Sequence, residues 1–119
     1  MTGRRVRRGA FAGALVLGAL LVGACSSGGT PELSGEQAND PELVSGRQIW
    51  QERCARCHGG DGGGGAAPKL ADGNVVRRYP EAEQQEAVVR EGRGSMPSFG
   101  GTLSDDEIHA VVRFTREVL

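Results

Sequence analysis

Apolar positions along this chain fall into groups with different spacing. Residues 9–24, G-A-F-A-G-A-L-V-L-G-A-L-L-V-G-A, are apolar or small throughout and carry no charge. From Leu43 onward the pattern turns helical: Leu43, Gly46, Ile49, Trp50 and Arg53 fall near one face, which predicts a first helix over 41–54. Asp40 is a good N-cap for it, and Pro41 suits the first helical position, where a missing N–H costs nothing. P-E-A-E-Q-Q-E-A-V-V-R-E restarts a helix over 80–91, with Pro80 at its first position. The best-marked helix is L-S-D-D-E-I-H-A-V-V-R-F-T-R-E-V-L, over 103–119. Ser104 and Glu107 make a capping box, and Asp105 and Asp106 sit favourably against the helix dipole. Ile108, Val111, Val112, Phe114 and Val118 line its apolar face, with His109, Arg113, Arg116 and Glu117 on the other.

Between these stretches the pattern breaks. S-S-G-G-T-P-E-L-S-G-E-Q-A-N-D (26–40) has no apolar period and reads as a flexible tether. Residues 59–73 hold seven glycines in fifteen positions and read as a loop. No strand precedes that run and no Gly-Lys-Ser/Thr ends it, so a phosphate cradle is disfavoured. Its G-G-G-G-A-A-P segment offers little side-chain packing, and a mobile loop is expected there. G-R-G-S-M-P-S-F-G-G (92–101) is a second loop. With no convincing strand and no internal repeat, the domain is expected to be all-α.

The chain has 119 residues and a formal net charge of −1, but its first part changes that picture. M-T-G-R-R-V-R-R-G-A carries four arginines and no acid, and the apolar run follows it directly. A basic stretch followed by an apolar one has the form of an export signal. The run is 16 residues, short of the roughly 20 a spanning helix needs. V-G-A-C (22–25) resembles the lipobox of bacterial lipoproteins, which implies that Cys25 becomes a lipidated N-terminus. The division expected is an export signal over 1–24, a lipidated start and linker over 25–40, and one domain over 41–119. Residues 25–119 keep ten of the 14 basic residues and all 15 acidic ones, a net charge of about −5. No basic stripe remains and aromatic residues are 4%, so nucleic-acid binding has no footprint.

Residues 54–58 read C-A-R-C-H, which has three chemical readings. A zinc site needs a second pair of ligands, and the chain offers only His109 and Cys25 besides. A thiol–disulfide couple would use Cys54 as nucleophile, yet such motifs open a helix within a βαβ pattern, and this one follows a helix. The third reading is c-type haem attachment, in which Cys54 and Cys57 form thioethers and His58 supplies the proximal imidazole.

The wider sequence is similar to the class I cytochrome c family over nearly all of 41–119. G-R-Q-I-W-Q-E-R-C-A-R-C-H-G looks like that family's first helix running into its haem site. The resemblance implies that Gly46 and Trp50 pack on the last helix, against Val111 and Phe114. P-K-L (68–70) matches the family's Pro-x-Leu, so the Pro68 carbonyl would accept a hydrogen bond from the His58 imidazole, and Leu70 would line the haem. G-R-G-S-M-P (92–97) matches the segment carrying the distal methionine, which implies Met96 as the second axial ligand. Fold and cofactor follow: a small cytochrome c-like fold of three to four helices around one covalent haem c, with Trp50, Leu70 and Phe99 in its apolar shell. His109 reads as solvated background.

Two axial ligands would leave no open coordination position, which argues for outer-sphere electron transfer and against an enzyme. The expectation is a monomeric one-electron carrier of a respiratory-type chain. A quinol-oxidising complex or a dehydrogenase would be its donor and a terminal oxidase its acceptor. It would be exported and held at the membrane surface through Cys25, on the outer face of the cytoplasmic membrane or on an outer membrane. The alternatives are a haem gas sensor or haem enzyme with a labile Met96, and an exported thiol oxidoreductase. No role is assigned to Arg77, Arg78 and Tyr79.

Overall fold

A computed structural model describes residues 28–119; the expected export signal and Cys25 lie outside the described residues. The first helical arm is built in three consecutive pieces: α1 (Pro41–Ile49), a π-helical turn (Trp50–Cys54) and α2 (Ala55–His58). Three further helices follow, α3 (Asn74–Arg78), α4 (Ala82–Glu91) and α5 (Asp105–Glu117). Among the described residues there is no strand, only an isolated bridge between Arg93 and Met96. None of the described helices is long and apolar enough to cross a membrane.

The caps are where the sequence places them. Asp40 Oδ1 accepts from Glu42 N at 2.9 Å and Leu43 N at 3.2 Å. Ser104 Oγ accepts from Glu107 N at 3.2 Å, and Glu107 Oε2 accepts from Ser104 N at 2.8 Å. Each bond satisfies a backbone donor that the first helical turn leaves free.

The core forms where the first arm lies on α5. Ile49 and Trp50 pack with Leu103, Ile108, Val111, Val112 and Phe114. The Trp50 and Phe114 ring centroids are 6.2 Å apart. Gly46 allows this approach: a Cβ there would collide with the Ala110 carbonyl and stand 3.0 Å from Phe114 Cβ. Gly46 therefore meets Ala110 and Phe114, while Val111 is buried in the same core. Arg53 departs from the expected face and is exposed. The π turn, closed by Ala55 N bonding to Trp50 O, breaks the 3.6-residue period from Trp50 onward.

α4 packs on α5 through a buried hydrogen bond, Gln85 Nε2 to Thr115 Oγ1 at 2.7 Å. Farther along, His109 Nδ1 lies 2.7 Å from Glu86 Oε1, with the imidazole about half exposed. α4 begins at Ala82, two residues later than the expected Pro80. Arg116 of α5 holds the carbonyls of Tyr79 and Pro80, each at 2.8 Å, and Glu81 is extended as the N-cap.

The stretch expected as a tether departs from that reading over 28–40. Arg47 Nε donates to Pro31 O at 2.7 Å, its Nη2 pairs with Glu32, and Leu33 packs against the core. Residues Gly35–Asn39 form a 3-10 turn that leads into Asp40. A single arginine on the outer side of α1 supplies donors for three successive residues, 30 to 32, which holds a segment with almost no apolar side chains.

Candidate functional site

C-A-R-C-H spans the end of the first arm, where α2 stops at Gly59 with φ +83°. His58 is buried, and its Nδ1 lies 2.8 Å from Pro68 O. A carbonyl only accepts, so Nδ1 carries the proton and Nε2 is left with a free lone pair. Trp50 holds the same corner from inside, its Nε1 donating to Gly60 O at 2.8 Å and its ring centroid 6.0 Å from that of His58.

The glycine-rich loop is bound by its own backbone. Ala67 N donates to Cys57 O at 2.9 Å, and Gly64 N to His58 O at 2.7 Å. Gly62 O accepts from both Leu70 N (2.9 Å) and Ala71 N (3.1 Å). In place of the loosely packed loop expected, 59–71 is a hydrogen-bonded turn. Gly62 shows why glycine is needed: φ is +72°, and a Cβ would come within 2.9 Å of Leu119 Cδ1. The turn presents the Pro68 carbonyl to His58 while Pro68 itself stays exposed.

Cys54 and Cys57 are unpaired thiols, both half-buried. Burial, with a smaller contribution from Cys57, pushes the Cys54 thiol up to about 11. A nucleophilic thiol needs the opposite shift, and the described residues hold no strand to form the βαβ setting such a motif uses. Among the described residues no three His, Cys, Asp or Glu side chains gather as a metal-ion cage, and zinc is disfavoured too. A flat macrocycle bonded through two thiols and one imidazole nitrogen asks for no such cage. The donor set fits haem: two free thiols three residues apart and an imidazole with an oriented lone pair.

Met96 lies in the second loop, half-buried and outside the core cluster. Its backbone pairs with Arg93 in both directions, each bond 3.0 Å, around Gly94 at φ +58°. Gly92, at φ +78°, leaves no room for a side chain, since a Cβ would stand 2.7 Å from Met96 O. Leu70 of the first loop and Phe99 of the second both pack against the Ile49–Trp50–Phe114 core, so one core anchors both loops.

The polar segment before α4 holds residues whose roles were not legible. Arg77 folds back to the start of its own short helix, donating to Asp72 O at 3.0 Å and Asn74 Oδ1 at 2.8 Å. The Arg78 guanidinium lies 5.9 Å from the Tyr79 ring centroid. Tyr79 OH accepts from Arg93 Nη1 at 2.9 Å. No local sequence signal pairs residues fourteen apart; only the folded loops do.

An all-α fold around a C-x-x-C-H arm, with a methionine turn on the second loop, defines a c-type cytochrome. Residues 41–114 match the family described as "Cytochrome C oxidase, cbb3-type, subunit III", and the chain belongs to that cytochrome c family. Cytochrome c-551 of Bacillus subtilis (strain 168) is 29% identical over 100 residues, spanning 82% of this chain and 85% of the relative. Cytochrome c6 of Leptolyngbya boryana is 32% identical over 75 residues, 61% of this chain and 88% of that one. Among solved structures, cytochrome cL from Hyphomicrobium denitrificans superposes with a TM-score of 0.59 at 25% identity, covering 65% of this chain and 47% of the other. The chain is an electron-transfer protein rather than an enzyme, it carries covalent haem c, and its partners are redox proteins.

Proposed function

We propose that this protein is a membrane-tethered one-electron carrier of a respiratory-type chain, with its haem iron capped on both faces. Cys54 and Cys57 would hold the porphyrin covalently, through thioether links to its vinyl groups. His58 Nε2 and the Met96 sulfur would hold the iron. Pro68 O fixes the His58 tautomer and raises its basicity by accepting from Nδ1. Leu70 and Phe99 exclude water from the two loops. Bound there, the haem supplies a one-electron iron couple, and a thioether ligand favours its reduced form over what a second imidazole would give. The protein's own residues would make and break no bond during transfer; they would hold the iron and keep the site dry.

The observation that carries this reading is the 2.8 Å contact between His58 Nδ1 and Pro68 O, which leaves the Nε2 lone pair free to bind a metal. The family name and the carrier relatives support a place between a quinol-oxidising complex or a dehydrogenase and a terminal oxidase. Residues 1–24 direct export and Cys25 carries the lipid, on the outer face of the cytoplasmic membrane or on an outer membrane. Several acyl chains hold such a domain at the bilayer stably and raise its effective concentration beside membrane-bound partners. Outside the signal a net charge near −5 favours basic partner surfaces.

The test is the visible spectrum of the reduced, exported protein with and without CO. A c-type spectrum unchanged by CO is expected. A spectrum that shifts with CO means a labile or open position, and the sensor or enzyme reading replaces the carrier.

A further inference from the structure

We propose that Tyr79 is a positioning residue for Met96, acting through Arg93. The proposal deepens the reading above and rests on Met96 as the distal ligand.

The turn that carries Met96 has little to hold it. A Cβ on Gly94, at its tip, would meet nothing within 4 Å, and Met96 lies outside the core cluster. The backbone around it is fastened to the end of α4, its immediate neighbour in sequence. Phe99 N donates to Val89 O at 3.1 Å, Gly100 N to Arg90 O at 3.0 Å, and Ser98 Oγ to Arg90 O at 2.7 Å. These bonds fix where the loop leaves and returns, but not the angle at which 93–96 stands.

One side-chain bond reaches farther. Among the described residues, Arg93 Nη1 to Tyr79 OH, at 2.9 Å, is the one side-chain hydrogen bond from 93–96. Arg93 is also the residue whose backbone closes the turn on Met96, so a hold on its guanidinium is a hold on that turn. Tyr79 is a firm anchor, because Arg116 of α5 grips its carbonyl and that of Pro80 at 2.8 Å each. A continuous path therefore runs from the best-packed helix, through Tyr79 and Arg93, to the methionine. α5 buries Ile108, Ala110, Val111, Val112, Phe114 and Thr115, so the path transmits the rigidity of the core to a loop that lacks its own.

The experiment compares holoprotein variants Tyr79→Phe, Arg93→Gln, Arg93→Lys and the double Tyr79→Phe/Arg93→Gln, with Met96→Leu as the open-site reference. The readouts are CO binding to the reduced protein, midpoint potential and thermal midpoint. Phenylalanine keeps the ring and the carbonyl that Arg116 holds, so the fold is retained. Loss of a hydrogen bond to a charged donor at a partly exposed site is expected to weaken the methionine-bound state about three- to tenfold, read as CO binding to the reduced variant where wild type shows none. The potential falls with it. Arg93→Lys retains a donor and restores much of the effect, and the double variant is no worse than either single one, as residues in one path require. The proposal is overturned if Tyr79→Phe stays as inert to CO as wild type at unchanged potential. It is overturned equally if Arg93→Gln alone shifts both readouts, which would assign Arg93 to a haem carboxylate. If wild type binds CO as readily as Met96→Leu, the methionine is not the ligand, and the positioning role falls with it by a separate and recognisable result.

Discussion

Arg113 of α5 reaches across to Asp40, the cap of α1, with Nη2 3.0 Å from Oδ2, so one carboxylate starts the first helix and fastens it to the last. Glu117 and Glu42 hold the same guanidinium. Arg113 comes first among the groups that depress the Asp40 carboxyl, followed by the Leu43 amide. Because the folded value lies below the ordinary 3.8, the stabilisation is full above that value and disappears as pH falls through the lower, folded one. Asp40→Asn keeps a capping oxygen and removes the charge. The expected result is a shallower loss of stability below about pH 4 than in wild type, read from denaturant midpoints. Asp72, depressed by Lys69, keeps the limb from vanishing. Identical acid limbs in the two proteins would remove Asp40 as a source.

Gly46 sets how closely the first arm approaches α5. Alanine there gains up to about 1 kcal/mol of helix propensity. Against this, its methyl group meets the Ala110 carbonyl, a backbone atom with no rotamer to escape into. Overpacking of this kind costs about 1–3 kcal/mol, and a fixed oxygen puts that cost near the upper end, for a net loss of about 2 kcal/mol. Gly101→Ala is the matched control, since nothing lies within 4 Å of a Cβ there. Urea unfolding should show Gly46→Ala clearly destabilised and Gly101→Ala close to wild type.

Thr115 and Gln85 form a pair in which both side chains are buried, at 4% and 5% exposure. Thr115→Val keeps the shape and deletes the acceptor, which leaves the Gln85 amide buried without its partner. A loss of about 1–3 kcal/mol is expected. Gln85→Met in the same chain removes the stranded amide and should recover part of that loss. A double variant as unstable as the single one would show that Thr115 matters chiefly through its second bond, to Val112 O at 2.8 Å.

The features legible in the sequence are those with a local physical cause. Asp40–Pro41 and Ser104–Glu107 announce helix starts because capping involves residues two or three apart. Gly46 and Trp50 stood out through the family resemblance, as did the Pro68 carbonyl. What escaped was set by distant partners or by lengths too short for a period. α3, at five residues, gives no apolar repeat to read, and it ends where Arg116 takes the Tyr79 carbonyl. The π turn at Trp50–Cys54 has no signature in W-Q-E-R-C, so Arg53 was assigned to the wrong face. The segment 28–40 lacks apolar period because Arg47, not a hydrophobic face, holds it. Arg93 and Tyr79 meet only because two loops rest on one core.

Removing the haem should separate the parts of the fold the chain holds by itself from those it does not. The α1–α5 contact is made of the protein's own buried side chains, with Leu43, Ile108, Val111, Val112 and Phe114 each no more than 2% exposed. The two loops are otherwise: their amides are hydrogen-bonded, as Leu70 N is to Gly62 O at 2.9 Å, but apart from the small Ala71 their side chains are at most partly buried around Leu70 and Phe99. Backbone bonds near the surface, without apolar cover, open at low free energy. In the haem-free protein, made by Cys54→Ala and Cys57→Ala, the amides of Leu70, Ala71 and Phe99 should exchange at least about tenfold faster than in holoprotein. Those of Val111–Phe114 should remain the slowest in the chain. Uniform loss of protection, α5 included, would mean that the α1–α5 pair has no stability of its own and that the haem organises the whole domain.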